Sequence, residues 1–214
     1  MEEYIFLGGG GFAVELYQYM VSDGKKVRGY MSLEEDQNLS NYIPWLGFEG
    51  NKRQEELECG AQYIIAIRNL KLRMKLIQFI AEHKLPVGSF VHSTVFLSNL
   101  AKIGKGLVAF PRAMITGNPV IGDYLFIDSL AIVSHGDVIG NNVVIGPASI
   151  ITGDCVIGDN VTFGVNSAIL PGTKIGNNVE IAINSYPGRR VPDGATVLTP
   201  PGKNFGKGLN KNFK

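Results

Sequence analysis

From Val91 to Ile181 every sixth residue is apolar: Val91, Leu97, Ile103, Ala109, Ile115, Ile121, Ile127, Val133, Ile139, Ile145, Ile151, Ile157, Phe163, Ile169, Ile175 and Ile181. Only Ala109 in that series is not bulky. A period of six matches neither a helix nor the alternation of a single strand. It fits a prism, in which each hexapeptide supplies one short strand and one corner. Three hexapeptides make a triangular turn, and the sixth residue points inward at every face. Turns then stack at strand spacing, about 4.8 Å, and like positions form internal ladders. A glycine follows the apolar residue at Gly104, Gly122, Gly140, Gly146, Gly158, Gly164 and Gly176. It is expected to help the chain turn, through a positive φ or a close backbone approach. The array predicts about five turns with no inserted loop. It is expected to end at Asn184, because Ser185-Tyr186-Pro187-Gly188-Arg189-Arg190-Val191-Pro192 breaks the period.

Ahead of the array, strand and helix signals alternate. Residues 4–7, 27–31 and 63–67 read as strands, and residues 54–57 as a short helix. Residues 12–20 carry helical spacing, with Phe12, Leu16, Tyr19 and Met20 on one face. Residues 70–83 are amphipathic, with Leu72, Leu76, Phe79 and Ile80 on one face and Lys71, Arg73, Lys75 and Gln78 on the other. The pattern predicts an α/β, Rossmann-like domain with a small parallel sheet over residues 1–88, followed by an all-β parallel β-helix over 89–198. A basic, glycine-rich tail occupies 199–214.

The balance of the chain excludes some classes of partner. Of its 214 residues 45% are hydrophobic, enough for a real core, and the net charge is +1 with scattered Lys and Arg. That is no footprint for nucleic acid or for a membrane surface. The N-terminus, Met1-Glu2-Glu3, carries neither a basic n-region nor a long apolar segment, so neither a signal peptide nor a membrane span is expected. Cys59 and Cys155 form no disulfide framework or zinc spacing, and two reduced, buried thiols in the cytoplasm are the expectation.

Two features point to chemistry. Gly8-x-Gly10-x-x-Ala13, between a strand and a helix, matches the fingerprint for phosphate contact at a helix N-terminus. The acid expected after the second strand is replaced by Ser32, and the domain is too short for a full dinucleotide fold. A nucleotide or nucleotide sugar fits better than NAD; the competing reading is a tight turn that binds nothing. Of the three histidines, His83 ends a helix and His92 has no partner in view. His135, in Ser134-His135-Gly136-Asp137, falls at a corner facing outward, and Gly153 lies one 18-residue coil later. A glycine beside a corner histidine leaves a notch where a substrate reaches the imidazole; the bland alternative is an idle surface histidine. A base for acyl transfer also needs an oxyanion donor, for which the backbone N–H near Gly153 is available, and an orienting acid, for which Asp137 or Asp128 is available. A prism face is convex, so the second wall of a groove must come from a neighbour, as in a homotrimer.

Gly8-Gly9-Gly10-Gly11-Phe12-Ala13, Ser134-His135-Gly136-Asp137-Val138-Ile139-Gly140 and Phe163-Gly164-Val165-Asn166-Ser167-Ala168-Ile169-Leu170-Pro171 resemble the bacterial nucleotide-sugar acetyltransferases related to the sialic acid O-acetyltransferases. The resemblance runs in order over nearly the whole chain. It implies a left-handed coil, against the general preference for right-handed crossovers. It implies a homotrimer with acetyl-CoA as donor, no metal, and an amino sugar on UDP, dTDP or GDP as acceptor. Carried over by position, His135 is the general base and Asp128 sits near the acceptor amine. Gly153, Val165, Ala182, Arg189, Arg190 and Lys203 would meet acetyl-CoA. Gly8, Gly10, Gly11, Ser32, Arg68 and Asn69 would meet the nucleotide. Three positions depart from the family's pattern: Gly136 stands where relatives commonly place Glu or Asp, Ser32 where they carry Asp, and Phe12 where many have His.

The implied reaction is N-acetylation of a nucleotide-linked 4-amino-4,6-dideoxy sugar. O-acetylation of sialic acid or a related sugar shares the motifs and stays open. A metal hydratase on the same prism would need three histidine ligands at one interface, and His135 has no partner histidine on a neighbouring coil. A non-catalytic scaffold is the fourth reading.

Overall fold

The computed structural model describes residues 2–57 and 59–199. Its first part is a parallel sheet of β1 (Glu3–Leu7), β2 (Lys26–Met31) and β3 (Gln62–Ile65), in the order β2-β1-β3. Helix α1 (Gly11–Ser22) joins β1 to β2, the short helices α2 (Gln37–Ser40) and α3 (Gln54–Leu57) precede β3, and α4 (Leu70–Glu82) follows it. The turn into α1 needs glycine: φ is 115° at Gly8, and a Cβ there would lie 2.2 Å from Ile67 Cγ1.

Both long helices differ from the expected faces. In α1 the buried residues are Ala13, Leu16 and Met20. Phe12 and Tyr19 instead pack outward on the β-helix, Phe12 against Phe110 and Phe126 at ring separations of 5.5 and 4.9 Å and Tyr19 against Phe110 at 4.8 Å. In α4 the buried stripe is Arg73, Leu76 and Ile80, while Leu72 is exposed. Arg73 is inside because it finds acceptors there: Nε donates to Asn142 Oδ1 at 2.8 Å, Nη2 to the Tyr124 carbonyl at 2.7 Å and Nη1 to the Ile67 carbonyl at 3.2 Å. Burial lowers its pKa to about 10. A polar side chain assigned by pattern to the solvent face thus staples the two domains together.

The second part is a left-handed parallel β-helix of three sheets with seven, five and six strands. Pairs hold one register: Phe126 faces Val108 and Val144, Ile132 faces Met114 and Ile150, and Val138 faces Val120 and Val156, each 18 residues away. The predicted sixth residues fill its core, with Ile115, Ile127, Val133, Ile145 and Ile151 fully buried. The coil does not stop at Asn184. Lys174 pairs with Arg190 and Glu180 with Thr196, so one turn of 16 residues absorbs the break and about six turns form rather than five. The apolar period slips there while the strand ladder continues.

The corner glycines also resolve in one direction. Gly104, Gly122, Gly140, Gly158 and Gly176 do not have positive φ. They are needed for close approach, since a Cβ on Gly122 would lie 2.6 Å from Asn141 Oδ1 and 2.9 Å from the Gly140 carbonyl carbon. Positive φ falls two residues later, at Tyr124, Asn142, Asn160 and Asn178, and asparagine tolerates it better than most residues.

The N-terminal domain covers one face only. Phe90, Val108, Phe126 and Val144 point outward from the seven-stranded sheet and are buried beneath it. Each such side chain contributes about 1.5–3 kcal/mol when removed from water. On the other faces Phe96, Met114 and Ile150, and Val120, Val138 and Val156, stay exposed. Cys155 is buried, Cys59 is half-buried, and both are free thiols. No helix among the described residues is long and apolar enough to cross a membrane.

Candidate active site

His135 turns the corner between the five-stranded and six-stranded faces, with its side chain 69% exposed. Two glycines make room for it. A Cβ on Gly117, one coil earlier, would lie 2.6 Å from His135 Cβ. A Cβ on Gly153, one coil later, would lie 2.3 Å from Cε1 and 2.6 Å from Nε2 of the imidazole. The ring therefore lies against the bare Cα of Gly153 with its outer side open. The Gly153 N–H donates to no acceptor among the described residues.

The two acids expected to orient the imidazole are engaged elsewhere. Asp137 turns inward: Oδ2 accepts from Ser134 N at 3.1 Å and Oδ1 from Cys155 N at 2.9 Å. It braces the corner that carries His135, and burial pushes its pKa up to about 6. Asp128 lies at a different edge, between the seven-stranded and five-stranded faces. Its Oδ2 is 2.7 Å from Arg68 Nη2, an ion pair without hydrogen-bond alignment. Burial raises the Asp128 pKa and Arg68 opposes the rise. Arg68 also meets Glu15 at 3.2 Å and lies over the Phe12 ring at 4.9 Å. The carboxylate that meets the imidazole is Asp154, with Oδ1 3.9 Å from Nδ1. Sequence reading missed it, although the coil count that found Gly153 puts residue 154 above Gly136.

The expected donor-binding residues divide between two edges. Gly153 shares the His135 edge, as does Arg189, whose Nη1 donates to the Pro171 carbonyl at 3.0 Å one coil above Gly153. Val165 and Ala182 belong to the Asp128 edge, Ala182 in register with Gly146 and Gly164 and Val165 in register with Pro147. Arg190 is exposed on the six-stranded face, and Lys203 lies outside the described residues. One chain does not bring both groups together.

On the nucleotide side, Gly8, Gly10, Gly11, Ser32, Arg68 and Asn69 all follow the carboxyl ends of the parallel strands, where open α/β sheets bind ligands. Space is open around the missing side chains of Gly10 and Gly11. Ser32 Oγ donates to the Glu34 carbonyl at 2.6 Å. Asn69 caps α4, its Oδ1 accepting from Leu72 N at 3.1 Å. Arg68 and Asn69 line a cavity of about 500 Å³ with Lys71, Asn160, Asn178 and Glu180. The glycines and Ser32 lie outside that lining. An amide ladder runs into the cavity: Arg73 donates to Asn142, Asn142 Nδ2 to Asn160 Oδ1 at 2.9 Å, and Asn160 Nδ2 to Asn178 Oδ1 at 3.2 Å. His92 does have partners, with Nδ1 2.9 Å from Thr94 Oγ1 and Nε2 4.0 Å from Asp23 Oδ1, and it ties α1 to the first corner. Among the described residues no three of His, Cys, Asp and Glu converge as a metal site.

Residues 154–186 match the family of bacterial transferase hexapeptide (six repeats). No curated protein matches the chain in sequence. Solved structures do match this chain in fold. The acetyltransferase domain of PglB from Neisseria gonorrhoeae FA1090 superposes with a TM-score of 0.83 at 21% identity, covering 96% of this chain and 100% of that one. PerB from Caulobacter crescentus, in complex with CoA and GDP-perosamine, gives 0.82 at 24% identity over 92% and 93%. WeeI from Acinetobacter baumannii AYE gives 0.82 at 20% over 93% and 97%. Each match runs over at least 92% of this chain and so takes in both the N-terminal sheet and the β-helix.

Proposed function

We propose that the protein transfers an acetyl group from acetyl-CoA to the amine of a nucleotide-linked 4-amino-4,6-dideoxy sugar, with His135 as general base. The observation that carries this reading is the imidazole seated on Gly153 at an open corner, in a fold shared with acetyltransferases whose structures hold acetyl-CoA, or CoA and GDP-perosamine. A neutral imidazole accepts a proton near neutral pH. The acceptor nitrogen attacks the thioester carbonyl carbon, the C–N bond forms, and the amine proton passes to His135 Nε2. The Gly153 N–H stabilises the carbonyl oxygen as charge develops there. The C–S bond then breaks and the departing sulfur takes the proton from the imidazolium.

The working unit in this reading is a homotrimer in the cytoplasm, where acetyl-CoA and nucleotide sugars are both made. Two observations support the trimer. The residues carried over for the donor sit on two edges of one prism, and two faces keep apolar rows exposed. Packing one prism's His135 edge against a neighbour's Val165–Ala182 edge would complete a groove and cover such rows. Val165, Ala182, Arg189, Arg190 and Lys203 would then hold acetyl-CoA. Gly8, Gly10, Gly11, Ser32, Arg68 and Asn69 would hold the nucleotide, with dTDP, UDP or GDP as its diphosphate. Asp128, buried beside the Arg68 cavity, would face the acceptor amine.

The test is to mix acetyl-CoA with dTDP-, UDP- and GDP-linked 4-amino sugars and follow free thiol. Release with one of them is expected, and silence with all of them sinks the reading. Activity confined to hydroxyl acceptors would decide for O-transfer. His135→Asn should lower kcat by at least ~10²-fold, the low end of what a general base contributes, while sedimentation still reports trimers.

A further inference from the structure

Asp154 stands where it does because Gly136 has no side chain. A Cβ on Gly136 would lie 2.1 Å from Asp154 Oδ1, so the carboxylate occupies the volume that any other residue would fill. The backbone fixes the pair in register: Asp154 N donates to the His135 carbonyl at 3.0 Å. The neighbours of Asp154 one coil either way are glycines, with φ 69° at Gly136 and 70° at Gly172, and Asp154 carries a side chain at φ 63°. Aspartate is among the few residues that tolerate this conformation. Of the groups around the imidazole, Asn118 on the coil below is neutral and bonds Gly136 N at 3.2 Å, and Asp137 is held by two amides.

We propose that Asp154 is the positioning residue for His135, its carboxylate supplied from the next coil into the vacancy at Gly136. Accepting from Nδ1–H fixes the tautomer whose Nε2 is free to take the acceptor's proton. The proposal rests on the reading of His135 as base. At 3.9 Å the two groups are in reach of each other but not hydrogen-bonded, and both side chains are largely exposed, 69% and 72%. A pair like this adds little stability in water. Its effect is on orientation, and such contacts commonly tighten in the substrate complex.

The experiment compares wild type, His135→Asn, Asp154→Asn and the exchange Gly136→Asp/Asp154→Gly. Turnover is followed with acetyl-CoA and GDP-perosamine as probe acceptor, and the His135 tautomer by ¹⁵N NMR above pH 8. Asparagine tolerates the backbone at 154, so that variant keeps its fold. In Asp154→Asn, kcat should fall at least ~10-fold with KM for acetyl-CoA little changed, a fraction of the ~10²–10⁴ carried by the base itself. The neutral ring should move from Nδ1–H toward Nε2–H, the form it prefers in water. The exchange should restore both, because the aspartate and the vacancy trade places. The tautomer measurement needs no acceptor. Unchanged turnover in His135→Asn would overturn the base reading. Lost turnover there, beside wild-type turnover and tautomer in Asp154→Asn, would overturn this proposal alone.

Discussion

Two edges of one prism are built by opposite rules. Along the edge that carries Asn142, Asn160 and Asn178, each coil repeats the last and every amide finds a partner one coil away. Beside it Asp123, Asn141, Asp159, Asn177 and Asp193 accept backbone N–H groups in the same rhythm. Along the edge that carries His135 the sequence changes at each level, from Gly117 to His135 to Gly153 to Pro171. There the side chains are exposed and the carboxylate meets the imidazole without a hydrogen bond. A closed ladder stabilises. A broken one leaves groups free to act on something else.

The comparison breaks if a change on the ladder edge alters turnover, or if a change on the His135 edge alters stability instead. Arg73→Met strips donors from three acceptors, Ile67 O, Tyr124 O and Asn142 Oδ1. Hydrogen bonds to a charged group are worth ~1.5–3 kcal/mol each, offset by the cost of burying an unpaired cation. A net loss of about 3 kcal/mol is expected by urea denaturation, with turnover per folded molecule unchanged. Gly153→Ala should do the reverse. Its Cβ drives the imidazole outward from a distance of 2.3 Å. A misplacement on the order of 1 Å can cost ~10²-fold in rate, and the exposed ring moves at little cost in stability.

Asp137 sharpens the contrast from beneath, and its effect is the smallest. Its carboxyl pKa is raised from 3.8 to about 6 by burial. The folded state therefore holds that proton more tightly than the unfolded chain does. Stability is lost as pH rises from about 4 through about 6. Over that window the stability of wild type relative to Asp137→Asn should fall by about 2 kcal/mol, at ~1.4 kcal/mol per unit with part screened. Parallel denaturant titrations at pH 4 and pH 7 would measure it, and a flat difference would contradict the assigned cause.

The prism was legible because one side chain in six must be apolar for any coil to close. That constraint is local and repeated, so it survives reading one residue at a time. The same counting located Gly153 against His135. It failed where a contact crossed between domains. Arg73 reads as a solvent-face residue until Asn142 and Tyr124, far along the chain, supply its acceptors. Leu72 reads as core until that rotation exposes it. Asp154 went unseen for another reason. Its significance lies in a side chain that Gly136 lacks, and absent volume leaves no pattern in composition or periodicity. At Tyr186-Pro187 the period stops while the strands continue, because a coil two residues shorter still closes.

That constant register also sets how the molecule assembles in time. When nearly every strand pair joins residues 18 apart, closing one coil costs about the same loop entropy as closing the next. Growth is then close to one-dimensional, with each coil templated by the one before. The first coils start with an advantage, since the N-terminal domain clamps Phe90, Val108 and Phe126 from outside. Among the described residues the last coil has a neighbour on one side only, and its span is shorter. Hydrogen exchange should therefore run inward from residues 190–197, and the corner bearing His135 should be among the slower parts of the prism to open.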